Sequence, residues 1–351
     1  MRLAHINSKY VCGVDLHGQS KYICVMNKEG ETLLHKNMKN DFNSFINSVA
    51  RFMPDISVGV ESMHSYYWLA DACIDNNIPF FLGHPYYMKS IHGGKTKNDK
   101  IDSKKIADLM RSNHFPVGFI YPKHMRATRD LLRRRIRFMK IRAEAYAHIQ
   151  TIFRQLCMNI SPKDVKNKKE RRLLIDKVDD LQIKSSIEMN LNLIDFFDVQ
   201  LGNVEKQIRE MAKYHDRTSL NILLTVPGIG DMMSLVILYE IGDINRFPSQ
   251  QDFSSYARLV KCERSSANKK FKGGFQKIGN PYLKWAFGEI IIHAPTFSSY
   301  IKDFYDRLIA RTGKPKARAI ITHKFGVAVF NMLKHKEVFN EKRFVQFNMN
   351  Q

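Results

Sequence analysis

Four carboxylates in the first third of the chain are candidates for chemistry because of where they sit. Asp15 closes the run Val11-Cys-Gly-Val-Asp15 and Glu61 closes Val58-Gly-Val-Glu61, two apolar stretches of strand length. An acidic group is costly inside a buried strand, so at the end of one it faces a cleft. Asp99 and Asp102 follow in Lys97-Asn-Asp-Lys-Ile-Asp102, at the i, i+3 spacing that puts both on one helix face. Carboxylates from two strand ends and one helix can hold two Mg2+ ions, or Mn2+ in their place. Such a pair, about 3.5 to 4 Å apart, clamps the attacking and leaving oxygens of a phosphodiester. Taken singly, each acid is equally well an N-cap or a solvated surface charge.

The elements that must position these groups read as α/β at the start and all-α afterwards. Strands are expected over 10–15, 22–26 and 31–36, a helix over 42–52, a buried strand over 56–61, a helix over 66–76 and a strand over 79–83. Hairpin strands followed by helix and strand alternation imply a mixed sheet with helices packed on it. A Gly93-Gly94-Lys95 loop then leads to a helix starting near Asp99 or Asp102.

From Met125 the pattern becomes helical. Leu132, Ile136, Met139, Ala143, Tyr146 and Phe153 form one heptad seam, with Gln150 in the missing apolar place, and Ile187, Leu191, Ile194, Leu201, Val204, Ile208 and Met211 form a second. Two long helices around the charged stretch 161–180 make an antiparallel coiled-coil hairpin, or else part of an ordinary bundle. Beyond it, helices over 219–226 and 231–241 flank Pro227-Gly228-Ile229-Gly230, the pattern of a helix-hairpin-helix whose glycines, Gly228 and Gly230, let backbone N–H groups approach a phosphate. A plain turn is the alternative. A polar, basic loop is expected over 261–279, then a helix capped by Asn280 with Pro281 in its first turn, and helices over 298–311 and 316–333. Three regions result: 1–122, 123–216 and 217–351.

The charge narrows the partner. Fifty-six Lys and Arg against 34 Asp and Glu leave +22 on 351 residues, an excess that suits a polyanion such as nucleic acid. It is concentrated in Lys123, Arg126, Arg129, Arg133, Arg134, Arg135, Arg137, Lys140 and Arg142, where acidic neighbours in sequence are few. With 44% hydrophobic residues the chain has enough apolar surface for a core, which excludes a mainly disordered class. The N-terminus lacks the apolar run of a secretory signal, and no stretch of about 18 apolar residues spans a membrane. Five scattered cysteines, an odd number without a C-x-x-C pair, point to reduced thiols in the cytoplasm and against a zinc ribbon. His17, His64, His84 and His92 lie near the acids, but a lone histidine is more often a polar contact than a ligand. Tyr66, Tyr67, Trp68, Tyr86 and Tyr87 are expected to pack rather than stack on bases.

The order of strands and the acids Asp15, Glu61, Asp99 and Asp102 resemble the RuvC-like, ribonuclease-H-fold domain of the DEDD transposases of bacterial insertion sequences, relatives of the Piv-type DNA invertases. Lys97-Asn-Asp-Lys-Ile-Asp-Ser103 is similar to that family's lysine-x-aspartate-x-x-aspartate-alanine signature, with Ser103 in place of alanine. The likeness continues through Val226-Pro-Gly-Ile-Gly230, Ser254-Ser-Tyr-Ala-Arg-Leu-Val260 and Gly279-Asn-Pro-Tyr-Leu-Lys284, so it covers nearly the whole chain. The resemblance implies that the four acids hold metal, and that a serine in Arg264-Ser265-Ser266-Ala267-Asn268-Lys269 is the nucleophile. Alignment puts Ser266 in that role, with Ser265 as the fallback. Departures are Arg258 for a usual glycine, Lys261 for a usual proline, and Ala267-Asn268 for glycines.

A serine hydroxyl needs activation, and Arg264, Lys269, Lys270 and Lys272 would stabilise phosphorane charge rather than remove a proton. The resemblance implies that the acidic domain meets the serine domain, within one subunit or between two, in a homo-oligomer (dimer or tetramer) acting on double-stranded DNA in the bacterial nucleoid. It further implies a structured bridge RNA that pairs with target and donor DNA. Rival readings are a hydrolytic nuclease of the junction-resolvase kind, with the serine idle, and a non-catalytic DNA- or RNA-binding derivative indifferent to metal.

Overall fold

The computed structural model describes residues 2–91, 98–158, 160–212, 216–260, 264–266, 269–271 and 278–346, with backbone alone for 264–266 and 269–271. Two compact units divide the chain, Met1–Lys123 and His124–Gln351. The first contains β1 (Tyr10–Leu16), β2 (Ser20–Asn27), β3 (Thr32–Lys39), α1 (Phe42–Val49), β4 (Ile56–Glu61), α2 (Tyr67–Asp75), β5 (Phe80–Gly83), α3 (Pro85–Ile91) and α4 (Asp99–Arg111). Its sheet has the order β3-β2-β1-β4-β5: β1, β2 and β3 are antiparallel neighbours, while β4 runs parallel to β1 and to β5. This mixed five-stranded sheet is consistent with the ribonuclease-H-like domain expected from the sequence.

Alternation along the strands feeds two cores. Cys12, Val14, Leu16, Ile23, Val25, Val58 and Val60 pack with Phe45, Val49, Leu69, Ala70 and Cys73 of α1 and α2 on one face. Val11, Cys24 and Met26 meet Ile106, Ala107, Leu109 and Met110 of α4 on the other. Lys21 is wholly buried. Its ammonium donates to the carbonyls of Lys39 (2.7 Å) and Asp41 (3.0 Å) and sits over the rings of Phe45 and Trp68, tying the start of β2 to the start of α1. Trp68 thus packs, as expected.

α4 lies directly on β1, and Gly13 is what allows it. A Cβ on Gly13 would collide with the backbone of Ala107 and Ser103, and one on Gly59 with Met110. The first turn of α4 is also held from β3: His35 Nε2 donates to the Lys100 carbonyl (2.9 Å) and lies 3.2 Å from Ser103 Oγ. Ser103, the residue that replaces the family alanine, is buried and donates to the same carbonyl at 3.0 Å.

The second unit contains α5 (Lys123–Gln155), α6 (Pro162–Lys166), α7 (Lys168–Asp176), α8 (Leu181–Ala212), α9 (Arg217–Leu224), α10 (Asp231–Ile241), α11 (Gln250–Tyr256), a hairpin of β6 (Arg264–Ser266) and β7 (Lys269–Phe271), α12 (Pro281–Phe297), α13 (Ser299–Thr312), α14 (Lys314–His335) and α15 (Glu341–Gln346). α5 and α8 are antiparallel neighbours, as Arg135–Glu205 (2.7 Å), Arg142–Asp198 (2.5 Å) and His148–Asn190 (3.3 Å) require. The expected α8 seam is buried from Ile187 to Ile208. On α5 it is buried at Leu132, Ile136 and Phe153 and half-buried at Met139 and Tyr146, but Ala143 is exposed while Ala145, Ile149 and Ile152 are buried. A straight helix drifts by about 20° per heptad, which moves the contact line off a strict seven-residue repeat.

One core joins this hairpin to the C-terminal helices, running from Met125, Leu132, Val204 and Ile208 to Leu235, Phe253, Phe287 and Phe325. Within it Glu240 is 1% exposed and accepts from Arg129 (2.9 Å), Arg133 (2.6 Å) and Asn280 (2.7 Å). Asn280 also caps α12 by accepting from the amides of Tyr282 and Leu283. Arg258, in the place of a usual glycine, has φ of 57° after the end of α11, and its Nε donates to the Ile278 carbonyl at 3.0 Å. A loop was expected over 261–279; its described residues instead pair Arg264 with Phe271, Ser265 with Lys270 and Ser266 with Lys269. Among the described residues no helix is long and apolar enough to cross a membrane, and Cys12, Cys24, Cys73 and Cys157 carry free thiols.

Two outcomes are expected from this packing. Gly13→Ala lowers stability by about 1–3 kcal/mol in urea melts, from overpacking between β1 and α4. Gly18→Ala, with open space around its Cα, changes it by no more than about 0.5 kcal/mol. Burial pushes the Glu240 carboxyl up, but hydrogen bonds from Arg133 and Asn280 and the charges of Arg129 and Arg133 outweigh it and leave the pKa below 4.5. Its contribution is therefore complete above the unfolded value and disappears as pH falls through the lower native one. Glu240→Gln is expected to cost about 3 kcal/mol or more at pH 7 and to flatten the acid limb of stability against pH.

Candidate active site

β1 and β4 run parallel with Val14 level with Val60, so Asp15 and Glu61 each follow at the carboxyl ends of neighbouring strands. Both point to the face opposite Val14 and Val60, the face that carries α4. α4 begins with Asn98 as its N-cap, the Asn98 carboxamide accepting from the Lys100 amide at 2.9 Å, so Asp99 and Asp102 occupy the first turn. Carboxylates there are favoured by the helix dipole, which offsets part of their mutual repulsion.

The most compact group at this end of the sheet is Asp15, His17 and Asp99, one ligand atom of each lying within 4.8 Å of the others. His17 Nε2 is 3.3 Å from Asp15 Oδ2 and 3.2 Å from Asp99 Oδ2. Those are ion-pair distances, with Nε2 itself buried between the strand end and α4. Asp102 faces Lys105 at 3.4 Å, and Glu61 is exposed at the end of β4; neither belongs to the compact group. Burial raises the pKa of Asp15; His17 opposes this, while the charges of Asp99 and Asp102 raise it further. A half-buried carboxyl flanked by two others is a site with surplus negative charge, and its oxygen-rich donor set fits a hard divalent cation. Asp15, Asp99 and Asp102, with Glu61 alongside, are the residues that would hold one.

Sequence reasoning set His17 aside as a lone histidine. The signal was present in Asp15-x-His17: residues two apart at a strand end share a face. His84 is different. Its ring packs on Tyr87 and burial lowers its pKa. His92, the Gly93-Gly94-Lys95 loop and Lys97 lie outside the described residues.

In the second unit the nucleic-acid candidates separate by environment. Arg133 is bonded to Glu240 and stacks over Tyr282 at 4.4 Å, and Arg135 is bonded to Glu205. The cationic face expected to lack acids therefore receives Glu240, Glu205 and Asp198 from other helices, acids distant in sequence but adjacent in space. Arg134, Arg137 and Lys140 remain exposed along one stripe of α5. Of the two turn glycines, Gly228 (φ 88°) faces the backbone of Ile290 and Ala294 in α12, so its missing Cβ lets the turn pack against that helix. Gly230 caps α10 with open space around its Cα. A cavity of about 680 Å³ beside this turn is lined by Arg135, Met139, Met232, Trp285, Glu289 and His293, among others. The side chains of Arg264, Ser265, Ser266, Lys269 and Lys270, and all of Ala267, Asn268 and Lys272, lie outside the described residues.

Two family profiles match in order along the chain. A transposase profile of the DEDD type typified by IS110 covers residues 12–158, and one described as transposase IS116/IS110/IS902 family covers 220–306. The transposase for insertion sequence element IS1111A of Coxiella burnetii is 23% identical over 276 residues, 75% of this chain and 73% of its own length. An insertion element IS110 uncharacterized 43.6 kDa protein of Streptomyces coelicolor is 28% identical over 118 residues, 34% of this chain and 28% of its own. The first profile contains Asp15, Glu61, Asp99 and Asp102 and the second the Pro227-Gly228-Ile229-Gly230 turn, so the acidic site and the C-terminal helices are matched independently and in the right order: the chain belongs to the IS110-type DEDD transposases.

Proposed function

We propose that this transposase cuts and rejoins double-stranded DNA by transesterification, with Ser266 as nucleophile and Asp15, Glu61, Asp99 and Asp102 as ligands of Mg2+ or Mn2+. Family membership gives DNA as the partner and transposition as the reaction class. The observation that carries the metal reading is the convergence of Asp15 and Asp99 on one point, with Asp102 close enough to raise the Asp15 pKa. A divalent cation bound there would withdraw charge from a phosphate and favour attack on it. In the reaction the Ser266 Oγ–P bond forms as the P–O bond to the departing strand breaks, and the departing oxygen takes up a proton as serine loses one. The phosphodiester energy is kept in the serine link, so rejoining needs no nucleotide cofactor. Arg264, Lys269 and Lys270 are assigned to the phosphate charge that develops, in keeping with their density in the β6–β7 hairpin sequence.

In this reading residues 1–122 carry the acids, 123–216 form a coiled-coil spacer and 217–351 carry the serine. α9, the Gly228–Gly230 turn and α10 act as a helix-hairpin-helix, supported by the open Gly230 at a helix start. Arg134, exposed on α5, contacts nucleic acid, either DNA or a structured bridge RNA, whereas Arg133 and Arg135 act through their fixed partners. Exchange of several strands calls for a homo-oligomer. Met189, Leu193, Phe196 and Val199 form an exposed apolar stripe on α8, with Glu188 near one end and Lys206 beyond the other. A second copy laid along that stripe would cover it.

The deciding experiment incubates the protein with its flanking DNA and transcripts and examines products on denaturing gels. Wild type is expected to give a covalent protein–DNA adduct in Mg2+. Ser266→Ala gives neither adduct nor cut; full cutting by Ser266→Ala would favour the hydrolytic nuclease. Asp15→Asn stays folded, with metal-free stability unchanged or raised because a carboxylate in a like-charged site is removed, but gives no cut. Metal-independent cutting would overturn the assignment. In sedimentation, Phe196→Glu is expected to shift the oligomer towards monomer without loss of helix content.

A further inference from the structure

The carboxylate scheme leaves a nitrogen donor out of account. His17 Nε2 is buried and lies within ion-pair reach of both carboxylates, 3.3 Å from Asp15 Oδ2 and 3.2 Å from Asp99 Oδ2. Its place is built rather than incidental. The His17 amide donates to the Ser20 carbonyl (2.8 Å), Asn40 Nδ2 donates to the His17 carbonyl (2.8 Å), and the Asn40 amide donates to the Gln19 carbonyl (3.0 Å), so the β1–β2 turn is pinned on both sides of the ring. Adjacent donors around an octahedral ion at about 2.1 Å stand about 3 Å apart, close to the spacings seen here.

We propose that His17 supplies an imidazole ligand to the divalent ion held by Asp15 and Asp99, and that this nitrogen makes the site prefer Mn2+ to Mg2+. The inference rests on the metal reading of the acids and adds a ligand to it. Mg2+ is hard, keeps to oxygen and holds its waters, whereas a first-row transition ion accepts imidazole among carboxylates. An Asp15–His17–Asp99 donor set therefore discriminates between two ions that an all-carboxylate site treats more alike. Asn40 is a positioning residue, because it acts through the turn that carries the ring.

The test titrates full-length protein with MnCl2 alone and in competition with MgCl2, following bound Mn2+ by electron paramagnetic resonance and looking for nitrogen coupling in its spin-echo modulation. Wild type is expected to show a directly coordinated nitrogen. In His17→Ala that coupling disappears and the Mn2+/Mg2+ affinity ratio falls about ten-fold. Asp15→Asn loses affinity for both ions. A wild-type site that binds Mn2+ through Asp15 without nitrogen coupling overturns the role of His17 alone, as does an unchanged affinity ratio in His17→Ala or tighter binding of both ions by that variant. Failure of wild type to bind either ion, or binding indifferent to Asp15→Asn, removes the metal reading itself and this inference with it.

Discussion

The contact on which the acidic site depends is the bare backbone of Gly13 against α4. A sheet and a helix normally meet through side chains about 10 Å apart; here the helix rests on the strand itself at Ala107 and Ser103. That close approach brings the first turn of α4 to the end of β1, and Asp99 to within reach of the ring that also touches Asp15. His35 and the buried Ser103 fix the same turn from β3, so its placement is set from two strands. No carboxylate in the group is positioned by attraction to another. The surrounding packing holds them in place against their repulsion, which is the arrangement a cation site needs before the cation arrives.

The second unit handles charge in the opposite way. Its arginines on α5 are drawn into the fold by acids from α8 and α10, and Glu240 gathers two of them together with the residue that caps α12. Such a buried cluster is a modest source of net stability, but removing Glu240 takes the shared acceptor from Arg129, Arg133 and Asn280 at once. Glu240 therefore couples α5, α10 and the start of α12, elements that follow and precede the β6–β7 hairpin. The surplus of +22 is carried elsewhere, on exposed side chains such as Arg134, Arg137 and Lys140, where salt-dependent contact with phosphates is available.

Much of the fold was legible because local signals agreed with one another. The apolar runs closed by Asp15 and Glu61, and Asn280 before Pro281, each act over a few residues, and the elements they define appear where expected. What the sequence obscured was long-range. Glu240 lies more than a hundred positions from Arg129 and Arg133, so the basic run looked unopposed, although a glutamate inside the apolar stretch of α10 demands a partner and was a usable sign. The contact of Gly228 with α12 was hidden for the same reason, since a close backbone contact with a ligand and one with another helix leave the same mark in sequence. The α5 seam missed at Ala143, and passed over Ala145, Ile149 and Ile152, because a heptad template cannot follow a helix that keeps 3.6 residues per turn.

His17 illustrates why the site was harder to read than the fold. A search for carboxylates at strand ends finds Asp15 and Glu61 by their cost in apolar surroundings, and that criterion does not apply to a histidine in a polar turn. The ring becomes significant only once α4 has delivered Asp99, since Asp15 and His17 alone are an ordinary strand-end pair. The same dependence orders the site's members. Asp15 is set by the sheet and Asp99 and Asp102 by the close contact at Gly13. His17 is set by the turn that Asn40 pins, and Glu61 by its place at the end of β4. Three independent supports thus converge on one point, the arrangement that the proposed metal reading calls for.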